Sequence, residues 1–444
     1  TATTEIYTLS LHDALPILFA GTLFTAPALA QSADDVINQS FYPYKAGVPT
    51  AAGVNVGVVI DKNNADQFKA VLDPVTYDLL KKGVHPSIKI GPTDSFDVHP
   101  KYVEATRQNI GKVKIVGGNL EGYSAGRPFP ELPSSSDADA GRKLAFNFRH
   151  TFSAGDNVQI KPFYWKYRNA ATGKVDRTVE FQFNFLNFKH RVAEQPIPAV
   201  SPNPNDYFRG IYGKAFSPQD VQDTQLMILA FDQDQKASDG YLYLGFQRRV
   251  RRLETSQTTD AFLGSDLMIQ DFEGYFGRVA EMNWEFKGTK TLLMPLYRHN
   301  EQKLSDEYKQ PDGYKFVAMT GKGECFPDVT WQLRQVHELE MTPVDKSSPV
   351  GRRVMYLDSQ TFVAPRTLIY DRAGKLWKSW TIGHTSTEHH LPSNKGKFAA
   401  IYDSFGMFDV QNQRCTTGQF RTEIDGSKSP VRMFNPQFMR SGGA

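Results

Sequence analysis

Cysteine is scarce. Only Cys325 and Cys415 occur in 444 residues, which excludes a disulfide-dense scaffold and any metal cage built from four thiolates. No stretch beyond Ala30 reaches the roughly 20 apolar residues of a membrane-crossing helix. Neither sign of charge dominates, with 51 Lys plus Arg against 48 Asp plus Glu, so bulk nucleic-acid binding is not expected. Motifs for common chemistry are missing as well. No G-x-G-x-x-G occurs, Gly264-Ser265-Asp266 lacks the spacing of a nucleophile elbow, and TGKGE from Thr320 lacks the rest of a phosphate loop. No catalytic constellation emerges, so the chain reads as a non-enzyme without a cofactor.

Aromatic residues are plentiful. They form 12% of the chain, with 31 Phe and 19 Tyr, which favours sheets with broad apolar faces over a helical bundle. The period-two runs agree. Val179, Phe181, Phe183 and Phe185 alternate with Glu180, Gln182 and Asn184, and Phe146, Phe148, His150 and Phe152 alternate with Asn147, Arg149 and Thr151; both predict one-sided antiparallel strands. Trp331, Leu333, Leu339 and Met341 share another strand face, and DRAGK from Asp371 suits a hairpin reversal. Helical signals are few: Asn63 or Asn64 can cap a helix ending before Pro74, and a short turn follows to Gly83. The expected fold is mainly β, a large curved antiparallel sheet with a few covering helices.

Leu15 to Ala30 is an apolar run ending in an A-x-A pattern, as in a signal peptide. Cleavage is expected after Ala30, giving an exported chain without a lipid anchor. Residues 1–16 lack both an initiating Met and a basic region and read as sequence that has replaced the natural start. The domain reading is therefore a leader over 1–30, one β domain over 31–426 with a soft internal boundary at the Pro-rich tract 195–204, across which one continuous curved sheet fits the strands as well, and a tail over 427–444 that is flexible or laid over the surface. In an oxidising compartment Cys325 and Cys415 are expected to bridge, with free buried thiols as the alternative.

From Gly240 to Arg252 the sequence reads as one strand carrying Arg248, Arg249, Arg251 and Arg252. The following segment supplies Asp260, Asp266, Asp271 and Glu273, close enough to return and neutralise them. The ordinary reading is an intramolecular charge network of these arginines with Asp260, Asp266 and Asp271. The sharper one is recognition of an anionic headgroup or an acidic partner. His384, Glu388, His389 and His390 fall in HTSTEHH without metal-site spacing and read as an exposed polar loop, and His337 reads as a satisfied core residue. No metal site is assigned.

RRVRRL with DAFLGSDLMIQDFEGYFGRV, the Gly351 to Lys378 segment, VIDKNNADQF from Val59 and GYSAGRPFPEL from Gly122 together resemble blocks of a bacterial family, domain of unknown function thirteen twenty-nine. The resemblance implies a secreted, mostly β protein related to lipoprotein carriers and receptors of the Lol type, a half-barrel, often encoded beside RND-type exporters. It implies no established chemistry. On that basis the expected function is a periplasmic carrier or accessory protein for a lipid or other hydrophobic small molecule, with an RND-type exporter or outer-membrane protein as partner. Its groove would draw on Phe148, Phe181, Phe183, Tyr241, Tyr243 and Trp331. The alternative is a ligand-free interaction module docking to transporter or outer-membrane proteins.

Overall fold

The computed structural model describes residues 32–134, 136–254 and 258–441; the expected leader and its cleavage point lie outside them. Among the described residues there are five α-helices: α1 (Ala33–Phe41), α2 (Pro74–Lys81), α3 (Pro100–Arg107), α4 (Ala140–Arg149) and α5 (Pro436–Arg440). Most of the remaining chain is strand. We number the principal strands β1 (Val59–Asp61), β2 (Ser87–Ile90), β3 (Asn157–Asn169), β4 (Val175–Asn187), β5 (Tyr207–Ser217), β6 (Gln225–Phe231), β7 (Asp239–Leu244), β8 (Arg249–Leu253), β9 (Met282–Met294), β10 (Thr330–Pro343), β11 (Val350–Asp358), β12 (Arg366–Asp371), β13 (Leu376–Ser386), β14 (Ala400–Asp409) and β15 (Arg414–Glu423).

These strands and the short pair Leu296–Tyr297 make one 16-stranded sheet that does not close. Its order is β1-β2-β10-β11-β12-β13-β14-β15-β3-β4-β5-β6-β7-β8, with β9 beside β10. Pairing is antiparallel except where β2 meets β10 and Leu296–Tyr297 meets β13. Two meanders are thus joined at the centre, where the last strand β15 pairs with the first long strand β3. The expected hairpin about residues 371–375 is the β12–β13 turn.

Several local expectations differ. Residues 146–149 lie in α4, where Leu144, Ala145 and Phe148 share an inward side and Asn147 is also enclosed; a helix buried nearly all round loses the polar face that distinguishes its period from that of a strand. The Pro-rich tract at 195–204 joins β4 to β5, which pair directly, so the sheet runs unbroken across the proposed boundary. The stretch from Gly240 is no single strand. It is a β7–β8 hairpin, with Arg249 opposite Leu244 and Arg252 opposite Tyr241. Arg248 turns the chain at φ 49°, and a Cβ on Gly245 would meet the Gln222 carbonyl at 2.5 Å, so this corner needs glycine. Nor does the tail hang free through residue 441. Asn435 caps α5, Met439 is fully buried and Phe434 packs in the same cluster as Tyr207 and Tyr212.

Candidate functional site

The largest apolar cluster lies where both meanders meet. From the sheet it takes Phe163 and Trp165 of β3, Phe181 and Phe183 of β4, Trp380 of β13, Phe405 of β14 and Phe420 of β15. A strap of short helical turns, Phe262–Gly264, Ile269–Gly274 and Val279–Glu281, adds Phe262, Leu267, Met268, Ile269 and Phe272 to the same cluster. Ring pairs lock the two layers, with Phe272 standing edge-on to Trp165 at 6.1 Å and to Phe183 at 5.9 Å.

The acidic residues of the strap pin it to the sheet. Asp271 pairs with Arg353 of β11 at 2.6 Å, both fully enclosed, and also accepts from the Met268 amide at 2.8 Å. Asp266 accepts from the Thr416 hydroxyl at 2.8 Å, and burial raises its carboxyl above the ordinary value. Glu273 receives both prongs of Arg209, each at 2.8 Å, together with the Tyr402 hydroxyl at 2.7 Å. Glu273 itself sits at φ 57°, and the next residue must be glycine because at φ 103° a Cβ would strike Ala364 at 2.8 Å. This corner turns the carboxylate inward. Burial alone would weaken the Arg209 charge, but Glu273 outweighs it and holds the guanidinium above its usual value. Burial and then Glu273 push Tyr402 well up.

Two small cavities meet at this triad, sharing Glu273 and Tyr402. One is aromatic, about 50 Å³, and bounded by Phe163, Trp165, Phe183, Phe272, Trp380 and Phe405. The other, also about 50 Å³, is mixed and bounded by Phe148, Arg149, Phe208, Arg209, Tyr275 and His384. Small-molecule sites usually offer about 300–1,000 Å³, so the strap is closed over a space that its own side chains nearly fill.

The expected charge network does not form. Asp266 and Asp271 serve the strap, Asp260 is exposed, and Arg248, Arg249 and Arg251 are exposed on the hairpin. Arg252 pairs instead with Asp239 of the neighbouring strand. The groove residues are also dispersed. Phe181 and Phe183 belong to the central cluster and Phe148 bounds the mixed cavity, whereas Tyr243 lies with Met433 and Phe434, Tyr241 packs against that group, and Trp331 lies with Phe68 and Ile88. Arg209 and Tyr402 escape a reading of the sequence, since one polar residue on an aromatic strand carries no local signal.

HTSTEHH is not an exposed loop. His384 and His390 are buried, and burial lowers them to about 4 and about 3. Among the described residues His299, His390 and Asp403 could bring ligand atoms within 4.8 Å of one another. Their polar atoms are already engaged: His299 Nδ1 meets Asp403 at 2.6 Å, His390 meets Tyr314 at 2.8 Å and Asn394 at 3.2 Å, and Tyr297 donates to Asp403. These bonds tie the three side chains into one buried hydrogen-bond network. His337 bonds Thr289 at 2.9 Å. Cys325 and Cys415 are joined in a disulfide with Cα atoms 5.8 Å apart. No helix among the described residues is long and apolar enough to cross a membrane.

A family model described as a protein of unknown function, DUF1329, matches residues 59–440. The chain belongs to this family. No curated protein matches it. Among solved structures, a putative outer membrane lipoprotein-sorting protein domain from Vibrio parahaemolyticus is 16% identical with a TM-score of 0.46, covering 68% of this chain and 100% of that one. A DUF1329 family protein from Desulfovibrio piger is 15% identical with a TM-score of 0.45, covering 68% and 98%. A LolA superfamily protein from Nitrosomonas europaea is 10% identical with a TM-score of 0.35, covering 64% and 91%. In DUF1329 terms, the DFEGYFG block supplies the strap corner, while RRVRRL forms β8 at the edge of the sheet.

Proposed function

We propose that this protein is an exported, periplasmic carrier or accessory factor that shelters an apolar or lipid-like molecule between the central sheet face and the strap, in partnership with an RND-type envelope exporter. The carrying observation is the strap itself. A segment made of short turns is held over an aromatic face by three carboxylate contacts, and its release would expose Phe183, Trp165 and Phe405 together. An acyl chain replacing the strap on that face would gain about 0.8 kcal/mol per buried methylene. The exporter partnership follows from the family resemblance alone.

A second reading has its own observation. The β7–β8 hairpin ends the sheet, its tip residue Phe246 is 75% exposed, and Arg248, Arg249 and Arg251 stand in solvent beside it. Such an edge suits docking to an acidic partner with no cargo involved. Solvent extraction and mass spectrometry of protein purified from a periplasm separate the two. A lipid near one equivalent supports the carrier; protein that is empty yet retained on its exporter supports docking.

A further inference from the structure

The mixed cavity under the strap keeps one polar atom to spare. His384 of β13 bounds it and is 3% exposed. Its Nδ1 lies 3.0 Å from the Ile382 carbonyl. A carbonyl only accepts, so Nδ1 carries the proton, and burial keeps the ring neutral by lowering it to about 4. Nε2 is therefore a bare lone pair. It has no hydrogen-bond partner among the described residues, yet it is not sealed in as the unpartnered indole nitrogens of Trp165 and Trp380 are. The geometry of the ring aims it. Nδ1, beside Cβ, is folded back to the backbone of its own strand, so Nε2 at the far edge is turned away from β13. It lies on the face shared with Tyr402, the residue directly opposite on β14 and another wall of the same cavity, whose ring stands edge-on to the imidazole at 6.2 Å.

The fixed donors on this wall are committed elsewhere. Arg209 and the Tyr402 hydroxyl donate to Glu273, Arg149 donates to the Phe231 carbonyl at 3.0 Å, and the Trp284 indole donates to the Val279 carbonyl at 2.8 Å. The charges are matched as well. Arg209 is paired with Glu273, and Arg149 lies 3.4 Å from the buried Asp234. An anionic head entering here would find both guanidiniums already facing a carboxylate, and a cationic head would find both carboxylates taken. What stays open is a single acceptor in an enclosed place, which is costly when unmet. A neutral O–H meets it without disturbing either ion pair.

We propose that the cargo is an uncharged amphiphile ending in a hydroxyl, of the long-chain alcohol class, which donates its O–H to Nε2 of His384 in the mixed cavity and passes its chain between Glu273 and Tyr402 into the aromatic cavity. This rests on the carrier reading and adds the head group to it. The two cavities share Glu273 and Tyr402, so one molecule can occupy both. A fatty acid is disfavoured, because its ionised carboxylate would face the Nε2 lone pair and lie beside Glu273 in a place of low polarity. At about 50 Å³ the mixed cavity also selects a small head.

Competition against a fluorescent apolar probe such as phenylnaphthylamine tests the proposal on the full chain, with three ligands of one chain length: 1-decanol, its methyl ether, and decanoate at about pH 8. 1-Decanol should displace the probe at a concentration about fivefold or more below that of the ether, which cannot donate, and of decanoate. His384→Phe, which keeps a ring against Tyr402 but has no acceptor, should bring 1-decanol level with its ether. His384→Gln, whose amide oxygen can stand near the position of Nε2, should retain the preference. A readout on the parent covers the case in which His384→Phe does not fold: the ¹⁵N resonance of His384 Nε2 should move on titration with 1-decanol and stay in place with the ether. Equal affinity for alcohol and ether, tighter binding of decanoate, a preference that survives in His384→Phe, or an unmoved Nε2 resonance overturns the head-group assignment while leaving a protein that binds apolar chains. Failure of all three ligands and of the probe to bind removes the carrier reading and this inference together.

Discussion

Glu273 and Arg209, 64 residues apart in sequence, meet in a two-pronged ion pair with both contacts at 2.8 Å, and this pair closes the strap over the central aromatic face. The side chains retain 14% and 17% exposure, so water screens part of the interaction. Glu273→Ala should therefore cost about 2–3 kcal/mol, below the 3–5 kcal/mol of a fully buried pair. Hydrogen exchange should rise in residues 262–281 before it rises in β3 and β4, because the strap loses a pin and the sheet loses none. Unchanged exchange in the strap would remove its role as a lid.

Phe272 distinguishes a cargo face from ordinary core. Its ring fills the space beside Trp165 and Phe183, and Phe272→Ala leaves a cavity costing up to about 3–5 kcal/mol. If the face is built to receive an apolar molecule, the variant remains folded and binds a fluorescent probe such as phenylnaphthylamine more tightly than the parent. Loss of stability with no gain in probe binding would assign Phe272 to packing alone.

Much of this sheet was legible in the sequence, and the failures have a common cause. One-sided alternation placed β4 and β10, and the turn residues of DRAGK placed the β12–β13 hairpin. The signal vanished where both faces are covered. Phe146 and Phe148 lie on a helix enclosed on nearly every side, and a period of 3.6 truncated to seven residues can mimic a period of two. Spacing in sequence also misassigned the acids: Asp266, Asp271 and Glu273 are near the arginine run in the chain, yet their partners Thr416, Arg353 and Arg209 come from β15, β11 and β5, strands on both sides of the β15–β3 junction. No local pattern encodes that meeting.

The disulfide between Cys325 and Cys415 spans 90 residues and ties the segment before β10 to β15. Closing a loop of this size stabilises by about 4 kcal/mol in the chain-entropy model. Cys325→Ala with Cys415→Ala should accordingly lower the urea midpoint, and reductant should shift the parent by the same amount without affecting the double variant. Coincident unfolding curves for parent and double variant would show that the bridge contributes nothing to the folded state's stability.

Acid sensitivity offers the last test. His85 and His390 are lowered to about 3, and His337 and His384 to about 4, in each case chiefly by burial. Unfolded imidazoles titrate near 6.5, so below that pH the unfolded chain takes up protons that the folded chain refuses. Their contribution is therefore complete above about pH 6.5 and is lost as pH falls toward 4, on the order of 3 kcal/mol for a group such as His337. The buried carboxylates act later. Burial would raise Asp73 and Asp358, but Arg366 and Arg334 outweigh it and hold both below the ordinary range; their contribution is present above about pH 4 and disappears only at lower pH. Urea unfolding between pH 7.5 and 4.5 should show stability falling with pH by roughly 1.4 kcal/mol per pH unit for each histidine that stays neutral in the fold. His337→Gln, able to keep the bond to Thr289, should reduce that slope by about one proton's worth. A flat profile across this range would mean that these imidazoles become charged without unfolding the protein, and that the packing around them opens in acid.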